Sequence, residues 1–322
     1  MRLTELTNIS KSPTTERSRR FISDVVMESE LLQWLNNFSL GATKDQYRVA
    51  DGSQTLASRA LAGSYTSENM SPADLISAQL KIHGFILHYD ESYEKDHELG
   101  LGLEMDMWLE QELEDRSIDT SEAVESLIIA GDGIGDNMTG LATILNGAND
   151  IPGLGFTGVI DAAVSGEDSF DISAESSFAE YEERQEKWMA DLKRVDGIIC
   201  NRSMGARLKT IARENNSYNE GLNQFGQRLE MINGVPIIRV LDTVITNSEP
   251  DNATTPVENT TSIYLVRNAV GHWDIKSNSG LAIWEPGELQ EEKMSRALKF
   301  EMRGRNQIRR KRAVRRVRNI KL

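Results

Sequence analysis

At 322 residues the chain is long enough to bury a sizeable core and to form about two compact domains. Hydrophobic residues make up 39% and charged residues 27%, the composition of an ordinary globular protein and not of a disordered one. The net charge of −14 conceals an asymmetry, because Arg303 to Leu322 holds ten Lys or Arg and no acid, so the body repels polyanions while the tail attracts them. A single cysteine, Cys200, excludes an intrachain disulfide framework and any CxxC zinc or redox site. His83, His88, His97 and His272 fall into no HExxH or related ligand spacing. No apolar run approaches the roughly 20 residues that span a bilayer. No signal-peptide core follows Met1, so a soluble protein made without export is expected.

The chain begins polar and becomes amphipathic. Phe21, Val25 and Leu32 share one i, i+4 row that Ile22, Val26, Leu31, Trp34, Leu35 and Phe38 widen, which predicts a helix from about Glu16 to Asn36. With nothing before it to pack on, this helix is expected to dock elsewhere. Residues 41 to 74 are rich in Gly, Ala, Ser and Thr, and Tyr47, Val49, Leu56, Leu61, Tyr65 and Met70 are their only large apolar side chains. So few anchors bury no core, so the segment reads as a functional loop, a disordered one, or an arm that orders on a neighbouring molecule. Leu80, Ile82, Phe85 and Leu87 then predict a strand that returns from the excursion.

Glu91 to Ile118 reads as one long helix, with Leu101, Met105, Leu109 and Leu113 at a spacing of four and Trp108 adjacent. Its other faces carry ten acids against Lys95 and Arg116. Paired carboxylates such as Glu110 and Glu114 are read as a solvated face, since no histidine or ligand pattern accompanies them. Gly100 and Gly102 each weaken a helix by roughly 1 kcal/mol relative to alanine and mark a soft point.

The stretch LIIAGDGIGDNMTGLATILNG, Leu127 to Gly147, superficially suggests a strand, a phosphate-cradling turn and a helix. A dinucleotide fingerprint requires a third glycine where Asp136 stands. Asp132 and Asp136 also occupy a loop that would have to offer bare N–H groups to an anion. Its glycines are assigned to a tight turn.

A helix follows from Ala174 to Val195, with Phe178, Tyr181, Trp188 and Leu192 on its apolar face, and then a short buried strand, Ile198 to Cys200. Cys200 in that setting is a structural thiol. Ser203 is the expected cap of a helix through Ala212, with Met204, Leu208 and Ile211 facing inward. Asn233-Gly234, between Leu229 and Met231 on one side and Val235 and Ile237 to Leu241 on the other, predicts a type I′ hairpin. Ile263 to Val266 suits a central strand, Trp273/Ile275 and Leu281/Ile283 predict two short ones, and Leu298, Phe300 and Met302 alternate as a final strand before the basic tail.

No Ser/His/Asp or Cys/His constellation, GxSxG or P-loop is present. No enzyme, cofactor or metal is expected. Two readings of the tail stay open. Arg309, Arg310, Lys311, Arg312, Arg315 and Arg316 neutralise nucleic-acid phosphates, or they pair with an acidic surface, most simply the helix at 91 to 118 of the same or a neighbouring chain. Ile308, Val314, Val317 and Ile320 interrupt the charge and favour packing.

The order of parts, an N-terminal arm, an extended loop, a long acidic helix, a Gly-Asp landmark, an α/β segment and a terminal sheet, resembles the major capsid protein of tailed double-stranded DNA bacteriophages, the Hong Kong 97 fold. LIIAGDGIGDNMTGLATIL (Leu127 to Leu145), DGIICNRSMGARLKTI (Asp196 to Ile211), NGVPIIRV (Asn233 to Val240) and the succession IYLVRN, HWDI and GLAIW carry the resemblance. It implies an α+β fold with an N-arm at 1–40, an E-loop at 41–84, a peripheral domain with a spine helix at 85–125 and 276–322, and an axial domain at 126–275.

The implied function is a structural one: self-assembly through hexamers and pentamers into an icosahedral shell around double-stranded DNA, in a virion capsid put together in a bacterial cytoplasm. No long N-terminal extension is present, so a separate scaffolding protein is implied, with portal and decoration proteins as further partners and no membrane. Lys44, Arg48, Arg59 and Trp34 are the implied inter-subunit residues, and Gly100 and Gly102 the place where the spine helix bends before expansion. Lys44 and Lys81 are the lysines in or beside the loop that a covalent cross-link would need, but no catalytic acid or partner is identified and cross-linking is not expected. An encapsulin-like shell around protein cargo and a soluble nucleic-acid-binding α/β protein working through residues 303 to 322 are the alternatives.

Overall fold

In the computed structural model, the described residues are 16–35, 38–40, 44–49, 74–90, 105–146, 158–163, 167–192, 194–223, 225–250, 258–269, 271–284, 295–310 and 312–322. The N-terminal amphipathic stretch forms two helices, α1 (Glu16–Met27) and α2 (Glu30–Trp34). Ser29 separates them with an extended backbone and accepts a hydrogen bond from Leu32 N at 3.0 Å, which caps α2 afresh. The region docks on remote elements of the same chain. Phe21, Ile22, Val25, Val26, Leu31, Leu32 and Leu35 are all buried against the rest of the same chain. Their floor is the long helix α3 (Met105–Ile129), while Phe21 meets Phe300 edge-on with ring centroids 5.5 Å apart.

Helix α3 runs on past Ile118, where the apolar stripe seemed to end, so Leu127 to Ile129 close a helix and begin no strand. Its inner face continues through Leu113, Ser117, Thr120, Ser121, Val124 and Ile128, all buried. Small polar residues on that face let α3 lie close to its neighbours, and a count of apolar side chains overlooks them. Gly100, Gly102 and the rest of the expected start of this helix fall outside the described residues.

Two sheets carry the remainder. Sheet one has the order β1 (Phe38–Leu40), β13 (Trp273–Trp284), β14 (Ser295–Ile308), β4 (Lys81–Asp90), with β1 parallel to β13 and the rest antiparallel. The two short strands expected near Trp273 and Leu281 are one strand whose register shifts between Ser277 and Leu281. Within the 41–74 excursion, β2 (Lys44–Val49) pairs antiparallel with β3 (Asp74–Gln79), which passes through Leu80 into β4.

Sheet two follows the path β5 (Val159–Asp161), β15 (Val314–Lys321), β12 (Glu258–Val266), β7 (Gly197–Asn201), β10 (Val235–Val240), β9 (Arg228–Ile232), β8 (Tyr218–Leu222). Two short strands flank it, β6 (Phe170–Asp171) on β15 and β11 (Glu249–Pro250) on β12. The basic C-terminal segment is therefore a strand of this sheet, and the grouping of 276–322 as one unit is redrawn: β14 pairs with β4, but β15 pairs with β12. The chain crosses over beside its earlier crossing, Arg309 N donating to His272 O and Arg267 N to Ala313 O, both at 2.8 Å.

Sheet two is covered on both faces, which explains its continuous apolar runs. Ile199, Tyr264 and Val314 face the core shared with sheet one, α1, α3 and the short helix α4 (Leu141–Leu145). Ile198, Cys200, Ile263 and Val317 face a second core under α5 (Phe178–Ala190) and α6 (Arg202–Glu214). Asn233 (φ 51°) and Gly234 (φ 76°) both have the positive φ of a type I′ turn between β9 and β10.

The cap of α6 is Asn201, not Ser203. Asn201 Oδ1 accepts from Met204 N at 2.7 Å and its Nδ2 donates to Ile245 O at 2.9 Å and Thr261 Oγ1 at 3.1 Å, whereas Ser203 Oγ donates to Asp242 at 2.6 Å. Asn201 is fully buried and its Nδ2 also reaches Asn247 Oδ1 at 2.6 Å, so Asn201→Ala removes a cap and strands four partners. A loss of about 2 to 4 kcal/mol is expected in denaturant unfolding, against less than about 1 kcal/mol for Ser203→Ala.

Candidate functional site

The Gly-Asp landmark is a closed turn after α3. Gly140 N donates to Gly131 O at 2.8 Å, and a Cβ on Gly131 would lie 2.1 Å from Met138 O. Gly133 (φ 72°) and Gly135 (φ 61°) supply the left-handed positions. Asp132 Oδ1 accepts from Ile134 N and Asn137 Nδ2, both at 3.0 Å, and these two bonds hold its carboxyl below the usual range. Lys81 Nζ reaches Gly135 O. The loop's donors serve the loop itself, consistent with a turn and not with an anion cradle.

Cys200 is fully buried, and burial raises its thiol far above the ordinary value, so it packs and does not react. Among the described residues no group of three or more His, Cys, Asp or Glu could hold a metal ion, and no helix is long and apolar enough to cross a membrane.

The basic segment finds its acids inside this chain. Arg309 pairs with Asp274 at 2.8 Å, Arg315 with Asp191 at 3.5 Å, Arg316 with Glu249 at 2.8 Å, Arg318 with Asp161 at 3.8 Å and Lys321 with Asp171 at 2.9 Å. Burial would raise the Asp171 carboxyl, but bonds from Lys321 and Ser173 hold it at about 2. These five partners come from residues 161 to 274, four of them reached because β15 is threaded through sheet two. Arg310 and Arg312 remain exposed at the turn before β15, and Lys311 lies outside the described residues.

Trp34 is likewise an internal contact. A Cβ on Gly197 would lie 2.4 Å from its ring, and Trp34 O accepts from Asn268 Nδ2 at 2.9 Å. With α2 capped by Ser29, its partly buried ring falls on β7. Lys44 and Arg48 lie on β2, and Arg59 falls outside the described residues.

The outer edge of sheet one is what sequence reasoning missed. Among the described residues β4 ends that sheet, exposing Ile82 (56%) and Ile86 (53%) on either side of Gly84. A Cβ on Gly84 would lie 2.1 Å from Phe300 O, so the two strands lie too close there for any side chain. A shallow groove of about 480 Å³ results, bounded by Ile82, Ile86, Phe300 and Arg303. Among the described residues, the β2–β3 ribbon that leads into this edge makes its main contacts between its own two strands.

No protein-family model matches the sequence, and no curated protein matches it significantly. Solved structures do match. The capsid of a native GTA particle has a TM-score of 0.56 at 12% identity, covering 91% of this chain and 90% of that one. A virus-like particle from Pyrococcus furiosus gives 0.54 at 10% identity, covering 94% and 97%. The holo-SrpI encapsulin complex from Synechococcus elongatus PCC 7942 gives 0.54 at 12% identity, covering 90% and 87%.

The chain has an α+β capsid-shell fold. Within this capsid-shell fold the basic segment is a structural strand, and the consequence is measurable. The side chains of Arg316 and Glu249 are only 13% and 18% exposed, and Arg316 also donates to Ser262 Oγ at 3.0 Å. Arg316→Ala strands Glu249 and is expected to cost about 3 kcal/mol in denaturant unfolding. Arg310→Ala and Arg312→Ala are expected to stay within about 0.5 kcal/mol.

Proposed function

We propose that this chain is a structural, non-enzymatic major capsid protein that closes through hexamers and pentamers into an icosahedral shell around double-stranded DNA, with a separate scaffolding protein, a portal and an expansion step. In this reading α3 is the spine helix, sheet one belongs to the peripheral domain, sheet two to the axial domain, and the ribbon of β2 and β3 to the E-loop. Gly100 and Gly102 are the proposed bend ahead of α3.

One observation carries the reading: among the described residues the interior is closely tied while an apolar strand edge stays open. An isolated two-stranded ribbon is marginally stable in water, and long apolar edge strands are ordinarily protected by charge, proline or a cover. Among the described residues this chain has both a ribbon whose main contacts are its own and an edge strand exposing Ile82 and Ile86. Laying the ribbon of one subunit over the edge of the next satisfies both, and such a head-to-tail contact closes into rings when its rotation allows. Many modest contacts then act together, because each raises the effective concentration for the next.

The acidic body suits packed DNA, since a wall that repels phosphate lets duplex slide. The match to an encapsulin supports a second reading, a shell around protein cargo. Electron microscopy of the chain expressed with and without its neighbouring genes is expected to show uniform shells, and monomers under every condition would contradict both readings. Nuclease-protected DNA inside them supports the capsid reading, whereas a defined protein cargo in its place supports the second. The double variant Ile82→Lys/Ile86→Lys is expected to keep the wild-type circular dichroism spectrum while yielding no shells. Normal shells from it would remove the proposed contact.

A further inference from the structure

One carboxyl lies where three parts of the chain meet. Glu125, on α3, is 4% exposed. Ser29, between α1 and α2, donates its hydroxyl to Glu125 Oε1 while accepting from Leu32 N. The backbone N–H of Leu241, just past β10, donates to the same carboxyl. The N-terminal helices, the long helix and sheet two are thus tied to a single side chain.

The surroundings are charged and mostly acidic. A cleft of about 80 Å³ beside Glu125 is lined by Glu28 and Glu30 from the N-terminal helices, Glu122 from α3, Arg202 from the start of α6 and Arg239 from β10. Glu30 is engaged, accepting from Arg239 N at 2.9 Å, and the Arg239 guanidinium pairs with Glu230. Arg202 is the cation whose field reaches Glu125, and Glu122 opposes it.

We propose that this junction is a proton-sensitive hinge: with a proton on Glu125 the N-terminal helices sit tight on α3 and β10, and its departure to solvent eases them off. A protonated carboxyl keeps acceptor capacity for both Ser29 and Leu241 while shedding a buried charge. Burial raises this carboxyl from 4.5 to about 7, with Ser29, Leu241 and Arg202 pulling the other way. The closed junction therefore binds the proton more tightly than an opened, hydrated one. Its advantage is fully present below 4.5 and is lost progressively as pH rises to about 7. The hinge belongs to the folded subunit and holds whether or not copies close into a shell.

Hydrogen exchange of the full chain at about pH 5.5 and about pH 8.5, corrected for intrinsic exchange rates, tests this. In the wild type, protection of residues 29–35 and 241–245 should fall about tenfold or more relative to β7 as pH rises. In Glu125→Gln, which keeps the size and the acceptor without the charge, those segments should follow β7. The same pH-dependent loss in both proteins overturns the proposal. Should Glu125→Gln fail to fold, Ser29→Ala decides: loss of that donor moves the midpoint of the wild-type pH dependence upward, and an unmoved midpoint overturns the proposal equally.

Discussion

Strand β15 enters sheet two between β12 on one side and β5 and β6 on the other, and among the described residues those two short strands pair with no other. The left half of the sheet therefore has no partner until the C-terminal segment is in place. Val314 faces one core and Val317 and Ile320 the other, so the strand joins the two. Its bases alternate with these side chains and meet acids contributed by segments far away in sequence, Asp161, Asp171, Asp191 and Glu249. Of these pairs Arg316–Glu249 is well buried on both sides, where charges are tolerated only when paired, and that pairing ties β11 to β15. Both chain ends thus finish the fold, since α1 and α2 close the other side of the shared core. Contacts of such long sequence separation are slow to form.

A chain so thoroughly tied inside has little reason to leave an apolar strand edge open, unless the edge has a use. Aggregation is the ordinary penalty for such an edge. Here the open edge, the ribbon running into it and the capsid-shell fold point the same way. The interior chemistry agrees: the thiol is buried, the glycine loop closes on its own carboxylate, and the buried Arg316 pairs with Glu249 within the subunit.

Legibility in the sequence followed locality. The hairpin at Asn233-Gly234 was readable because two residues set its turn, and Ile263 to Val266 because a fully buried strand is continuously apolar. The end of α3 was not, since its inner face passes from leucine to Ser117, Thr120 and Ser121, which only the closeness of packing explains. The tail misled for a different reason. Ten bases drew attention to net charge, and Val314, Val317 and Ile320 pointed to packing, but their spacing of three hides a strand and the acids that neutralise it are invisible without the topology. Glu125 carries no local signal at all, since what sets it apart is a serine that the fold brings from the far end of the chain.

The claim that the basic segment is a core strand, on which sheet two depends, is tested most directly by native-state hydrogen exchange. The amides of Val314, Val317 and Ile320 should exchange in the slowest class, together with those of Ile199 and Leu265, through global unfolding. Exchange of these amides as fast as that of the exposed turn at Arg310 and Arg312, with the rest of sheet two still protected, would show a tail laid on a finished fold and contradict the account.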